Sequence, residues 1–132
     1  MEASLNTELI QRELAKFRPV VVYLFGSMAG NRVRADSDVD IAFLPTGTIE
    51  PYDVFQAAQE LAGQIGREVD LVDLSRASAV MKAQVLQTGR PLFITDAHRT
   101  AEFEMYALSD YARANEERRE VLAAFGESSH AR

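Results

Sequence analysis

Two carboxylates set two residues apart, Asp38 and Asp40, stand at the head of an apolar run that continues through residues 41–44. Alternate residues of a strand point to the same face, so this pair projects together while Val39, Ile41 and Phe43 turn the other way, toward a core. Side by side the carboxylates repel, and burying them uncompensated is costly. A divalent cation removes that cost, and hard oxygen ligands suit Mg²⁺. Upstream, the apolar run 20–25 breaks at Gly26-Ser27, a turn of the kind whose backbone approaches a phosphate closely. Carboxylates for a metal beside a cradle for phosphate form the layout of an enzyme that handles nucleotides.

Chance is a poor explanation of this spacing. With Gly, Ser and Asp each at roughly 5–7% of residues, Gly-Ser followed at a fixed distance by Asp-x-Asp arises about once in 10⁵ positions. The flanking strands on both sides narrow it further. Gly-Ser, an intervening loop and Asp-x-Asp between two hydrophobic strands resembles the signature of the DNA polymerase β-type nucleotidyltransferase superfamily. In its small single-domain form the chain is similar to the minimal nucleotidyltransferases, the MntA-type antitoxins that act on HEPN toxins of the HepT type. The resemblance spans roughly residues 17–94 and takes in the C-terminal helix.

That resemblance implies a third acid on a neighbouring strand, in a setting such as x-Val-Asp-Leu-Val. Arg67-Glu68-Val69-Asp70-Leu71-Val72 matches it and points to Asp70, whose neighbours Val69 and Leu71 form the core face. Asp73 and Glu68 are the rivals; Asp73 has the wrong parity, and Glu68 lies nearer the strand's start. By the same resemblance, Asp38, Asp40 and Asp70 are catalytic and hold two Mg²⁺ ions, and Asp70 helps deprotonate the attacking hydroxyl. Gly26 and Ser27 hold the β- and γ-phosphates of ATP. Many relatives carry an arginine soon after the Gly-Ser step, where this chain reads Met28-Ala29-Gly30-Asn31; Arg32 and Arg34 stand nearest to supply its charge. The implied reaction moves AMP from ATP to a hydroxyl acceptor by positioning and charge neutralisation, with no covalent intermediate on the protein.

Composition excludes other chemistries. Cysteine is absent, so thiol catalysis, disulfides and zinc-thiolate sites are out, and a cytoplasmic protein fits. His98 and His130 are the only histidines and lie far apart, which leaves no Ser-His-Asp triad. No lysine follows Gly26 in the manner of a P-loop. A net charge of −6 repels nucleic-acid backbones, so no direct nucleic-acid ligand is expected. The amino-terminal residues lack the basic and apolar regions of a signal peptide, and no stretch is apolar enough to cross a membrane.

The elements that position these residues follow from periodicity. Helical spacing covers residues 7–17, with Asn6 or Thr7 as cap; strands are expected at 20–25, 38–44 and 68–74, with a short edge strand at 91–95. Between them, helices are expected at 52–65, stopped by Gly66, and from Ser75 to residue 87. A last amphipathic helix runs over 99–125 and residues 126–132 read as a disordered tail, leaving one domain over 1–125. The fold class is α+β, a small mixed β-sheet backed by helices. A single catalytic core of this size borrows its acceptor from elsewhere, and the resemblance implies a HepT-like HEPN RNase as partner in a hetero-oligomer. A non-catalytic antitoxin that only binds and blocks is the alternative, with a small-molecule (aminoglycoside-like) nucleotidyltransferase behind it.

Overall fold

The computed structural model describes residues 6–26 and 38–129, with side chains through 124. Helix α1 (Thr7–Leu14) starts where the Asn6 side chain accepts the Leu9 N–H, and it closes in a 3₁₀ turn over Ala15–Phe17. Strands β1 (Val21–Phe25) and β2 (Val39–Leu44) follow, then α2 (Pro51–Ile65), whose end is fixed by Gly66 in the left-handed conformation. Strand β3 (Val69–Asp73), α3 (Ala79–Thr88), β4 (Arg90–Ile94) and the long α4 (Ala97–Ser129) complete the chain. The last helix continues past the expected end at residue 125. Among the described residues, no helix is long and apolar enough to cross a membrane.

The sheet order is β3-β2-β1-β4, with β1 antiparallel to β2 and β4, and β2 parallel to β3. It is the expected small mixed sheet, with Pro91 on the edge strand β4 where its missing N–H is tolerated. Strand β1 is buried along its whole length, because helices cover both faces. On one face α1 and α2 bring Ile10, Leu14, Ala57 and Leu61 against Val22, Leu24, Val39, Ile41 and Phe43. There Phe17 stacks on Phe43 at 5.1 Å between ring centroids. On the other face α3 and α4 bring Val85, Met81 and Phe103 against Val21, Tyr23, Phe25, Ala42 and Leu74. Each large side chain so buried contributes about 1.5–3 kcal/mol.

One helix starts later than expected. Ser75 does not cap α3, because its backbone N–H and its hydroxyl both donate to Asp73 Oδ1, at 2.9 and 2.7 Å. Ser78 caps instead, accepting the Met81 N–H. An acidic residue two positions before a serine offers a tighter local bond than a new helix does.

A buried polar contact fastens α4 to the sheet. The Tyr23 hydroxyl donates to Glu104 at 2.5 Å, and burial together with that carboxylate pushes the phenol well above its ordinary pKa. Tyr23→Phe leaves the Glu104 carboxylate without its donor, and is expected to lower stability by about 1–2 kcal/mol in chemical denaturation. An unchanged midpoint would show that the contact contributes nothing.

Candidate active site

The parallel register of β2 and β3 builds the site. It sets Val39 beside Val69 and Asp40 beside Asp70. Neighbours in register share a face, so both carboxylates stand on the α3/α4 side, at the open end of the strip that continues inward through Ala42 and Val72. Asp38, one residue before β2, shares their parity. The sequence-based parity argument holds for all three: Val39 and Ile41 lie in the opposite core, with Val69 and Leu71 packed against it.

From the other flank, β1 pairs Phe25 with Asp40, which carries Gly26 directly against that carboxylate. A Cβ placed on Gly26 would lie 2.2 Å from Asp40 Oδ2, and the glycine has φ +74°. Both demands, a left-handed backbone and no side chain, are met only by glycine. The sequence suggested that this bare backbone serves a phosphate; among the described residues, the side chain that bars a Cβ there is Asp40.

Electrostatics mark Asp40 as the centre of the group. Its carboxyl is pushed above the ordinary range, first by burial and then by the charges of Asp70 and Asp38. Asp38 and Asp70 are exposed while Asp40 is half-buried. An open cleft of about 210 Å³ at this point is lined by Asp38, Glu68, Val69 and Asp70. Among the described residues no three acidic or histidine side chains are gathered into a closed metal cluster. The donors suit Mg²⁺ nonetheless, for that ion commonly takes one or two carboxylates and completes its shell with water and substrate phosphates. A half-buried carboxyl that ionises reluctantly beside two others is a place where positive charge is favoured.

The rivals for the third acid separate cleanly. Asp73 lies on the opposite parity, is buried, and is engaged by Ser75 and by Arg76, whose Nε is 3.8 Å from its Oδ2. Its role is the turn after β3. Glu68 is exposed and lines the cleft without being paired in register with Asp40. Gly26 is placed as described; Ser27, Arg32 and Arg34 lie outside the described residues. Sequence reasoning passed over Gln59 and Arg67, which border the site from α2 and from the entry to β3. Nothing in the local sequence signals them, because α2 reaches the site only through the parallel crossover.

Comparison with known proteins places the chain in a family. Residues 8–98 match the family described as Polymerase beta, Nucleotidyltransferase. The protein adenylyltransferase MntA of Shewanella oneidensis is 34% identical over 102 residues, covering 77% of this chain and 73% of the relative. A crystal structure of a toxin–antitoxin with AMP-PNP contains a chain 32% identical, with TM-score 0.81 over 92% of this chain and 98% of that one. A tri-AMPylated Shewanella oneidensis HEPN toxin in complex with MNT antitoxin supplies another, 31% identical with TM-score 0.78 over 95% and 98%. With its Gly26 turn, its Asp38-x-Asp40 pair and Asp70 in register beside them, the chain belongs to the polymerase β nucleotidyltransferase family.

Proposed function

We propose that this chain is a Mg²⁺-dependent protein adenylyltransferase that moves AMP from ATP to a hydroxyl of a HepT-like HEPN toxin in the cytoplasm, and so acts as its antitoxin. The observation that carries the reading is the pairing of Asp40 with Asp70 across parallel strands, with Asp38 alongside and the bare backbone of Gly26 against Asp40. The similarity to MntA and to chains in toxin–antitoxin structures supports the acceptor class.

Each residue has a share in the chemistry. Asp38, Asp40 and Asp70 are the groups that would hold Mg²⁺, which when bound neutralises phosphate charge and lowers the pKa of the attacking hydroxyl. Asp40, fixed between Gly26 and Asp70, sets where the α-phosphate rests. Asp70, exposed on the edge strand, receives the acceptor's proton as the hydroxyl attacks. Gly26, and Ser27 after it, orient the β- and γ-phosphates so that pyrophosphate departs away from the acceptor. Arg32 or Arg34 supplies the positive charge that the Gly-Ser motif here lacks.

The test is the intact mass of the HEPN partner after incubation with this chain and Mg-ATP, with an Asp38→Asn, Asp40→Asn double variant alongside. Gains in whole AMP units, lost with the double variant, are the expected result. No gain, with a stable complex that still stops the partner's RNase activity, would replace catalysis by simple blocking.

A further inference from the structure

In-line phosphoryl transfer needs the attacking oxygen and the departing group on opposite sides of the reacting phosphorus. Here the strand order β3-β2-β1 turns that requirement into a direction. Gly26, the phosphate-side turn, abuts Asp40 from β1, and Asp70 lies beyond Asp40 on β3. With pyrophosphate leaving toward β1, the acceptor must arrive across β3. Because β3 is the edge of the sheet, no further strand among the described residues blocks that approach.

A cleft of about 520 Å³ stands there, between the C-terminal half of α2 and the start of β3. Gln59 and Ala62 form its helical wall, and Gly66, Arg67 and Glu68 its other side. It shares Asp38, Glu68 and Val69 with the smaller cleft at the carboxylates, so the two adjoin around the amino-terminal ends of β2 and β3, where the α2 face of the sheet meets the face that carries Asp70, and together they make the trough. The wall is low at the turn, where a Cβ on Gly66 would meet nothing within 4 Å. Its lining mixes small apolar surface with an amide, a guanidinium and exposed carboxylates, which suits a polypeptide segment better than a dry pocket for a small ligand.

We infer that this trough is the acceptor site, and that Gln59, Arg67 and Glu68 determine which polypeptide is modified. The inference rests on the proposed adenylyltransferase function. The acceptor segment lies along the α2–β3 trough with its hydroxyl side chain directed to Asp70. Gln59 and Arg67 hydrogen-bond its main chain, and Glu68 at the throat selects a segment with a cationic residue beside the modified one.

The experiment is steady-state AMP transfer to the HEPN partner, varying partner and ATP separately, with AMP-PNP binding measured by calorimetry. Gln59→Trp fills the trough from an exposed position, and it is expected to raise the KM for the partner by about 10-fold or more. Its KM for ATP and its AMP-PNP affinity should stay within about 2-fold of the wild type. Gln59→Arg, which crowds the trough and repels a cationic segment from the same exposed helix position, reads the same split and serves where Gln59→Trp melts early. An unchanged partner KM in both variants, or a matching loss of AMP-PNP binding, overturns the acceptor site while leaving the enzyme intact. A wild-type chain that transfers nothing overturns the function and the inference together.

Discussion

Asp40→Asn is expected to reduce AMP transfer by at least about 10³-fold and at the same time to make the protein melt higher at neutral pH. The two effects share one cause. Asp40 is half-buried against Asp70 and Asp38, and its carboxyl is raised above the ordinary range by burial first and by those charges second. A group whose pKa is raised on folding contributes stability only while it is protonated, and that contribution is lost as pH climbs through the raised value. At pH 7 the ionised side chain therefore opposes folding. Asparagine removes the repulsion and keeps the shape. Relief of like charges near solvent is worth up to about 1 kcal/mol, which for a domain of this size is about 3–5 °C. The gap over the wild type should narrow as the pH falls, because the raised carboxyl takes up its proton before an ordinary aspartate does. Added Mg²⁺ with a nucleotide analogue should close it too, by stabilising only the wild type. Differential scanning fluorimetry across pH, beside the transfer assay, checks both halves. An Asn variant that is inactive but no more stable would show that the carboxylates do not burden each other.

Gly26→Ala is expected to damage the same centre from the opposite side. The added methyl would stand 2.2 Å from Asp40 Oδ2, on a backbone at φ +74°. Holding alanine in the left-handed region costs about 1–2 kcal/mol, before the contact itself is counted. Either Asp40 swings away from Asp70 or the turn unwinds, and both misplace the reacting groups. Transfer should fall by about 10²-fold or more, since displacements near 1 Å carry that penalty. The contact also makes a signature in stability. Shortening the neighbour in a Gly26→Ala, Asp40→Ala double variant should recover part of the lost melting temperature, because the two sites touch and their effects do not add. Strict additivity would place the strain in the backbone alone.

The acidic pair was legible because strand parity is a local property. Val39, Ile41 and Phe43 announce a buried face, and Asp38 and Asp40 must take the other. Asp70 was legible by the same alternation, with Val69 and Leu71 as its flanks, and Asp73 was discounted on parity that the structure bears out. Which strands neighbour each other was not legible from the residues 68–74 themselves; that Asp70 lies on a strand beside the acidic pair was implied only by the family resemblance. That register comes from burying both core strips at once against α2. The start of α3 was misjudged because Ser75 looked like a cap while Asp73, two residues earlier, had a prior claim on its hydroxyl. Gln59 and Arg67 were invisible for the same reason as the register, since their proximity to the site is a product of the crossover.

That crossover has a consequence for how the chain folds. Asp40 and Asp70 belong to strands that pair in parallel, and parallel partners meet only after the intervening segment, here α2, has been laid across the sheet. The two carboxylates are strangers until the β2-α2-β3 unit closes, and their charges resist the very encounter that closes it. Such non-local pairing is a slow event in folding even without repulsion. The folding chain thus meets repulsion among Asp40, Asp70 and Asp38 at the moment the two strands pair, and acid or an added cation is expected to lower it. On the proposed assignment of those carboxylates, Mg²⁺ is expected to speed that closure as well as to serve the transfer.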